Sequence, residues 1–127
     1  MIRKGEVYRL KASTDSQQDA LVLVVSGTAS NRSSLPTVTT LMLMPRANEV
    51  EPGVEVAFEV EDEQVIVSPH GLTSVPKEVL EDAPVGRLEG TQLEQIDKVL
   101  ASHFALSPAS FGAPSMMDRP EKKGELL

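Results

Sequence analysis

The chain reads as a mainly β domain, a small barrel of five to six short strands closed by one C-terminal amphipathic helix. Three observations predict it. Short apolar or alternating runs recur through residues 6–88, separated by turn-forming segments. One longer segment, 91–106, switches to helical spacing. A length of 127 residues with 40% hydrophobic content suits one domain around one core. So small a sheet must close on itself or cover its edges, and a helix packed across it is the economical solution.

Taken in order, residues 6–10 alternate, with Val7 and Arg9 on one face and Tyr8 and Leu10 on the other. A polar loop over 13–19 follows. Residues 20–25 (Ala-Leu-Val-Leu-Val-Val) are apolar throughout, as in a strand covered on both faces. A second loop, 26–36, is rich in Ser, Thr and Asn. Residues 37–44 form a β-rich run stopped by Pro45, with Met42 and Met44 on one face and Leu41 and Leu43 on the other. The methionines suit a core or an interface between two copies. Residues 54–60 alternate apolar with acidic, and 64–68 follow the acidic turn Glu61-Asp62-Glu63, which predicts a hairpin. The stretch 69–80 reads as irregular, with Pro76 opening one helical turn over 76–80. A last short strand covers 85–88.

The helix opens on Thr91-Gln92-Leu93-Glu94, which has the form of a capping box. Leu93, Ile96, Val99, Leu100 and Phe104 make one apolar stripe, and Glu94 with Lys98 forms a favourable pair on the wet face. Beyond Leu106, three prolines and a lack of periodicity predict a disordered tail over 107–127. The domain is therefore expected to span residues 1–106.

Composition removes several classes of function. There is no cysteine, hence no disulfide, thiolate metal site or cysteine nucleophile. No His and carboxylate stand at metal-ligand spacing, so neither a metal nor another cofactor is expected. No Gly-rich phosphate loop and no Gly-x-Ser-x-Gly elbow occur. The first residues lead straight into polar sequence, and the longest apolar run is too short to cross a bilayer. A soluble cytoplasmic chain with no membrane contact is the expectation.

The net charge of −7 conceals an asymmetry. Residues 1–48 carry six basic side chains (Arg3, Lys4, Arg9, Lys11, Arg32, Arg46) against three acidic ones. Residues 49–106 carry three basic against thirteen acidic. Contact with a phosphate backbone would have to come from the first third, because such affinity rests on clustered Lys and Arg. The acidic middle is the pattern of a solvated face.

Several stretches, in order along residues 1–106, resemble the PemK/MazF-like growth inhibitors of bacterial toxin–antitoxin pairs. Arg3-Lys4-Gly5-Glu6-Val7-Tyr8 is similar to their basic-Gly-Glu-Val start. The strand–loop–strand over 22–38, with Asn31-Arg32-Ser33 before Pro36-Thr37-Val38, resembles their Asn-Arg-x-Ser loop. Ser74-Val75-Pro76-Lys77 is similar to their Thr-Val-Asp-Lys, and 85–106 to their closing strand and helix. The resemblance implies an SH3-like barrel, a homodimer, and neutralisation by a small antitoxin protein. It also implies endoribonuclease activity on single-stranded RNA, or, in the CcdB-like sister group, inhibition of DNA gyrase without chemistry. The Ser-Val-Pro segment ending in an apolar helix resembles that group too. A descendant that only dimerises and binds a partner is a third reading.

Metal-free RNA cleavage needs a base for the 2′-hydroxyl, a cation for the phosphorane and an acid for the leaving oxygen. In the nuclease members an Arg before the second strand and a Thr ending the third carry much of this. Here those places read Gln17-Gln18-Asp19-Ala20 and Leu43-Met44, and Gly71-Leu72-Thr73 replaces the family's Gln-Ile-Arg. Either the centre is rebuilt or the domain no longer cuts. For a rebuilt centre the candidate catalytic residues are Arg32, His70 and Thr73, and the candidate RNA contacts are Arg3, Lys4, Asn31, Arg32 and Arg46. His70 stands in the irregular segment, and an imidazole there could serve as acid or base. His103, near the helix C-terminus, is expected to serve the helix dipole.

Overall fold

The unbroken apolar run lies at the centre of the larger of two sheets, and everything else is arranged around it. The structure, a computed structural model, describes residues 1–11, 20–47 and 49–105. The expected loop over 13–19 and tail over 107–127 lie outside the described residues. Among these the order is β1 (Glu6–Arg9), β2 (Leu21–Val24), α1 (Thr28–Asn31), β3 (Thr37–Met42), β4 (Met44–Pro45), β5 (Val56–Val60), β6 (Glu63–Val67), β7 (Leu72–Pro76), β8 (Gly86–Arg87) and α2 (Thr91–His103). Two 3-10 turns, Pro69–Gly71 and Lys77–Val79, flank β7. The five-stranded sheet runs β7-β3-β2-β1-β8 and the three-stranded sheet β4-β6-β5, with every pair antiparallel.

The two sheets are continuous at one corner, where the chain passes from β3 through Leu43 into β4. On the other side no ladder among the described residues joins β8 to β5. Gly86 lies against the Val60 side chain there, and Arg9 pairs with Glu61 at 2.6 Å. The mainly β barrel expected from the sequence is thus two curled sheets with the helix across them. Among the described residues it has eight strands rather than five to six. The extra ones are the two-residue β4 and the edge strand β7, which lies in the stretch expected to be irregular. Leu72, Thr73 and Ser74 are exposed on that edge, so β7 lacks the apolar alternation that betrays a strand. The expected helical turn over 76–80 is the short 3-10 turn after it.

Both faces of the large sheet are covered, as the apolar run requires. Val7, Leu23, Leu41 and Leu43 face the small sheet and α2, meeting Val56, Phe58, Val65, Val67, Ile96 and Val99. Tyr8, Val22, Val24 and Val38 face the other way, onto Val75 and Leu80. Met42 is half-buried in that second cluster and Met44 is exposed. Burying each such aliphatic side chain contributes about 1.5–3 kcal/mol.

Gly5 anchors the start of β1. Its φ is +94°, and a Cβ there would stand 2.7 Å from the Leu88 carbonyl oxygen, so only glycine fits. The capping box at 91–94 does not form. Gly90, with φ 59°, takes the N-cap place, and no side chain caps the helix. Thr91 is already inside the first turn, past the position from which its hydroxyl would accept from the helix N–H groups. At the other end Phe104, expected on the buried stripe, is half exposed.

Candidate functional site

The resemblance points to the corner where β2 begins and β3 ends. A cavity of about 300 Å³ opens there, lined by Leu21, Met42, Leu43, Met44, Pro45 and Glu63 among others. Among the described residues Glu63 is the one charged side chain in its lining. The segment that would carry the family's Arg, Gln17-Gln18-Asp19, lies outside the described residues. The place of the family's Thr is filled by buried Leu43 and exposed Met44. An apolar wall with a carboxylate cannot stabilise a phosphorane.

Side chains able to move protons stand just beside this corner. Pro69 starts the turn Pro69–Gly71 with its fixed φ, and Gly71 seats the turn on β3, since a Cβ there would lie 3.3 Å from the Met42 backbone nitrogen. His70 is thereby held near the end of β3 and is exposed. Its ring meets that of His103 edge to face, with centroids 5.1 Å apart and planes at 80°. His103 in turn meets Phe104 at 5.0 Å and 82°. Thr73 is the second residue of β7 and pairs with Thr40, whose hydroxyl donates to the Thr73 carbonyl at 3.2 Å, leaving the Thr73 side chain exposed.

Arg32 is elsewhere. It caps the C-terminal end of α1, beside the first residues of β3, where Thr37 pairs with Pro76. His70 and Thr73 adjoin the opposite end of the same ladder, where Leu41 pairs with Leu72. Four residue steps at 3.3 Å separate the two ends by about 13 Å. His70 and Thr73 lie near the same end of this ladder without a hydrogen bond between them, and Arg32 lies at the other end. Lys77, not anticipated from the sequence, joins Arg32 instead, its Nζ donating to the Ser33 carbonyl at 2.8 Å.

The other candidates have separate surroundings. Asn31 is buried, accepting from the Ser26 hydroxyl and donating to the Ser26 carbonyl at 3.0 Å. Its amide braces the loop and is turned away from solvent. Lys4 is paired with Asp97 of α2 at 2.9 Å, and Arg46 is exposed next to the cavity, its N–H donating to the Gln64 carbonyl at 3.2 Å. Arg3 is exposed, while its backbone N–H donates to Glu6 at 2.8 Å.

That last bond belongs to a polar centre the sequence reading did not single out. Glu6 is buried, and its carboxylate accepts from Arg3 N–H, from the Tyr8 hydroxyl at 2.9 Å and from Arg87 at 3.0 Å. Burial pushes its pKa up, but the three donors outweigh it and hold the carboxyl below its ordinary value of 4.5. Burial and the Glu6 contact push the Tyr8 hydroxyl up to about 12. The cluster ties β1 to β8.

Two small antiparallel sheets, a corner cavity and a helix laid across them define a fold shared with solved structures of toxin nucleases. One is an endoribonuclease in complex with its cognate antitoxin from a mycobacterial species, at 22% identity and TM-score 0.68, matching 84% of this chain and 98% of that one. Another mycobacterial endoribonuclease matches at 23% identity and TM-score 0.65, over 83% and 92% of the two chains. The Mycobacterium tuberculosis toxin MazF-mt6 matches at 15% identity and TM-score 0.64, over 80% and 98%. Among curated proteins, no sequence matches the chain. Residues 3–104 match the profile of the PemK-like, MazF-like toxins of type II toxin–antitoxin systems, and the chain belongs to that family. Among the described residues no helix is long and apolar enough to cross a membrane.

Proposed function

We propose that this toxin-family chain is an endoribonuclease that cleaves single-stranded RNA in the cytoplasm, works as a homodimer and is held in check by its own antitoxin. The match of residues 3–104 to the toxin family carries the reading. The antitoxin-bound endoribonuclease of the same fold supports it. In this reading His70 and Thr73 stand at the scissile phosphate, at the corner where the family's chemistry is expected. Arg32, with Lys77 beside it, tracks the backbone on one side, and Arg3 and Arg46 add charge at the rims. Lys4 contributes once RNA competes with Asp97 for it. Asn31 acts by holding the loop that presents Arg32.

One observation favours a second reading, a toxin-derived module that binds without cutting: the corner cavity offers an apolar wall and Glu63 where a cation and a hydroxyl would be needed. Gyrase inhibition is one form of that reading. Incubation of the purified full chain with a long unstructured RNA, without added metal, decides between them. Discrete fragments are expected. Intact RNA at high protein concentration, with a related toxin cutting in parallel, would remove the nuclease reading and leave binding.

A further inference from the structure

The chain contains two histidines, 33 positions apart, and the fold brings both to one spot on the surface. Both rings are exposed, and among the described residues neither forms a hydrogen bond or ion pair with protein. Phe104 completes the row at 50% exposure, whereas Phe58 and Tyr8 are buried at 4% each. The one exposed aromatic carbocycle among the described residues therefore stands against the imidazole pair. Gly71 packed on Met42 fixes this cluster beside the corner cavity, whose lining among the described residues lacks a proton-transfer pair.

We propose that His70 and His103 are the acid–base pair of RNA cleavage and that Phe104 is the shelf on which a base next to the scissile phosphate stacks. This rests on the endoribonuclease reading above. The neutral imidazole of one histidine takes the proton of a ribose 2′-hydroxyl, and that oxygen attacks the adjacent phosphorus. The bond from phosphorus to the 5′-oxygen of the next nucleotide breaks as the protonated imidazole of the other gives its proton to the leaving oxygen. The products are a 2′,3′-cyclic phosphate end and a 5′-hydroxyl end, and no metal or further reactant enters. The pair finishes with its protonation exchanged, and solvent resets it. The protonated ring also places a positive charge beside the phosphorane, which the cavity wall does not. Both side chains project from the surface, at a turn and at a helix end, so RNA has access to part the rings. A stacked base is the usual partner of an exposed aromatic ring in single-stranded RNA recognition.

The test is single-turnover cleavage of a long unstructured RNA by the full chain and its variants. His70→Ala and His103→Ala are each expected to lower the rate by about 10²-fold or more. The double variant should fall no further than the singles, because the two act as one unit. Added imidazole should partly restore His103→Ala, an effect that a merely structural role would not produce. Phe104→Ala should raise KM with little change in kcat, and fragments should end in 2′,3′-cyclic phosphate. Gln variants replace either Ala variant that fails a thermal-unfolding check. Wild-type cleavage with both His variants within about tenfold of it would overturn the pair and leave the nuclease reading standing. No cleavage by the wild type would instead remove the nuclease reading, and the pair with it.

Discussion

Glu6 shows how one side chain links the first and last strands of the domain. Its carboxylate sits in the interior between β1 and β8, satisfied by the Arg3 N–H, the Tyr8 hydroxyl and Arg87. Hydrogen bonds to a charged group contribute about 1.5–3 kcal/mol, and a partner left unsatisfied in the interior costs a similar amount. Because Glu6 is held below its ordinary 4.5 in the folded chain, its contribution is complete above that value and is lost as pH falls through the folded one. Tyr8 has the opposite sign. Raised from 10.0 to about 12, it contributes fully below pH 10 and loses that contribution as pH rises toward 12. Urea midpoints measured against pH should therefore decline on both the acid and the alkaline limb. Glu6→Gln is expected to lower neutral stability by about 1–3 kcal/mol and to flatten the acid limb. Tyr8→Phe should flatten the limb between pH 10 and 12. An unchanged acid limb in Glu6→Gln would assign acid sensitivity to other carboxylates.

Among the elements, the β5–β6 hairpin is the one whose turn works against its residues. Val60 pairs with Glu63 across a two-residue loop in which Glu61 and Asp62 both take positive φ, 52° and 68°. Right-handed strand twist favours this loop, which Asn-Gly or Asp-Gly fills at least cost. Glu61 is retained by Arg9 at 2.6 Å, whereas Asp62 forms no hydrogen bond or ion pair among the described residues, so Asp62→Gly is expected to stabilise the domain by about 0.5 kcal/mol. A lowered thermal midpoint would show that the carboxylate matters more than the backbone. The hairpin itself was legible, because alternation of apolar and acidic residues fixes both strands. The strand β7 was not, since a polar edge facing solvent has the composition of a loop. Neither was the helix start, where Gly90 displaced Thr91 by one position. The same distinction holds at the site. His70 could be nominated from its place in a turn near the expected groove, but its meeting with His103 depends on where α2 ends over that turn. That is a tertiary fact with no local signal. The bracing of Asn31 by Ser26 has no local signal for the same reason, because the pair meets only once the loop has folded back.

At the scale of the whole molecule, charge decides where RNA is able to approach. The small sheet and its turns carry Glu59, Glu61, Asp62 and Glu63, together with Glu49, Glu51 and Glu55 before it. Arg32 and Lys77 stand together at the far end of the large sheet, linked through the 33–77 contact. A strand bound from that basic end to the histidines crosses about 13 Å along the β3–β7 ladder, roughly the spacing of two to three phosphates. Each phosphate neutralised on a single strand adds about −0.7 to the slope of log affinity against log salt. With two or three contacts, a non-cleavable 2′-O-methyl oligonucleotide should bind with a slope of about −1.4 to −2.1. Arg32→Ala should weaken binding uniformly across sequences and reduce the slope by about 0.7, while leaving the rate of the chemical step at saturating RNA unchanged. Glu63→Gln, which removes a charge from the cavity rim, should tighten binding without altering the slope by as much. If Arg32→Ala leaves both affinity and slope untouched, RNA does not run along this ladder, and the route to the histidines must lie across the exposed edge of Arg46 instead.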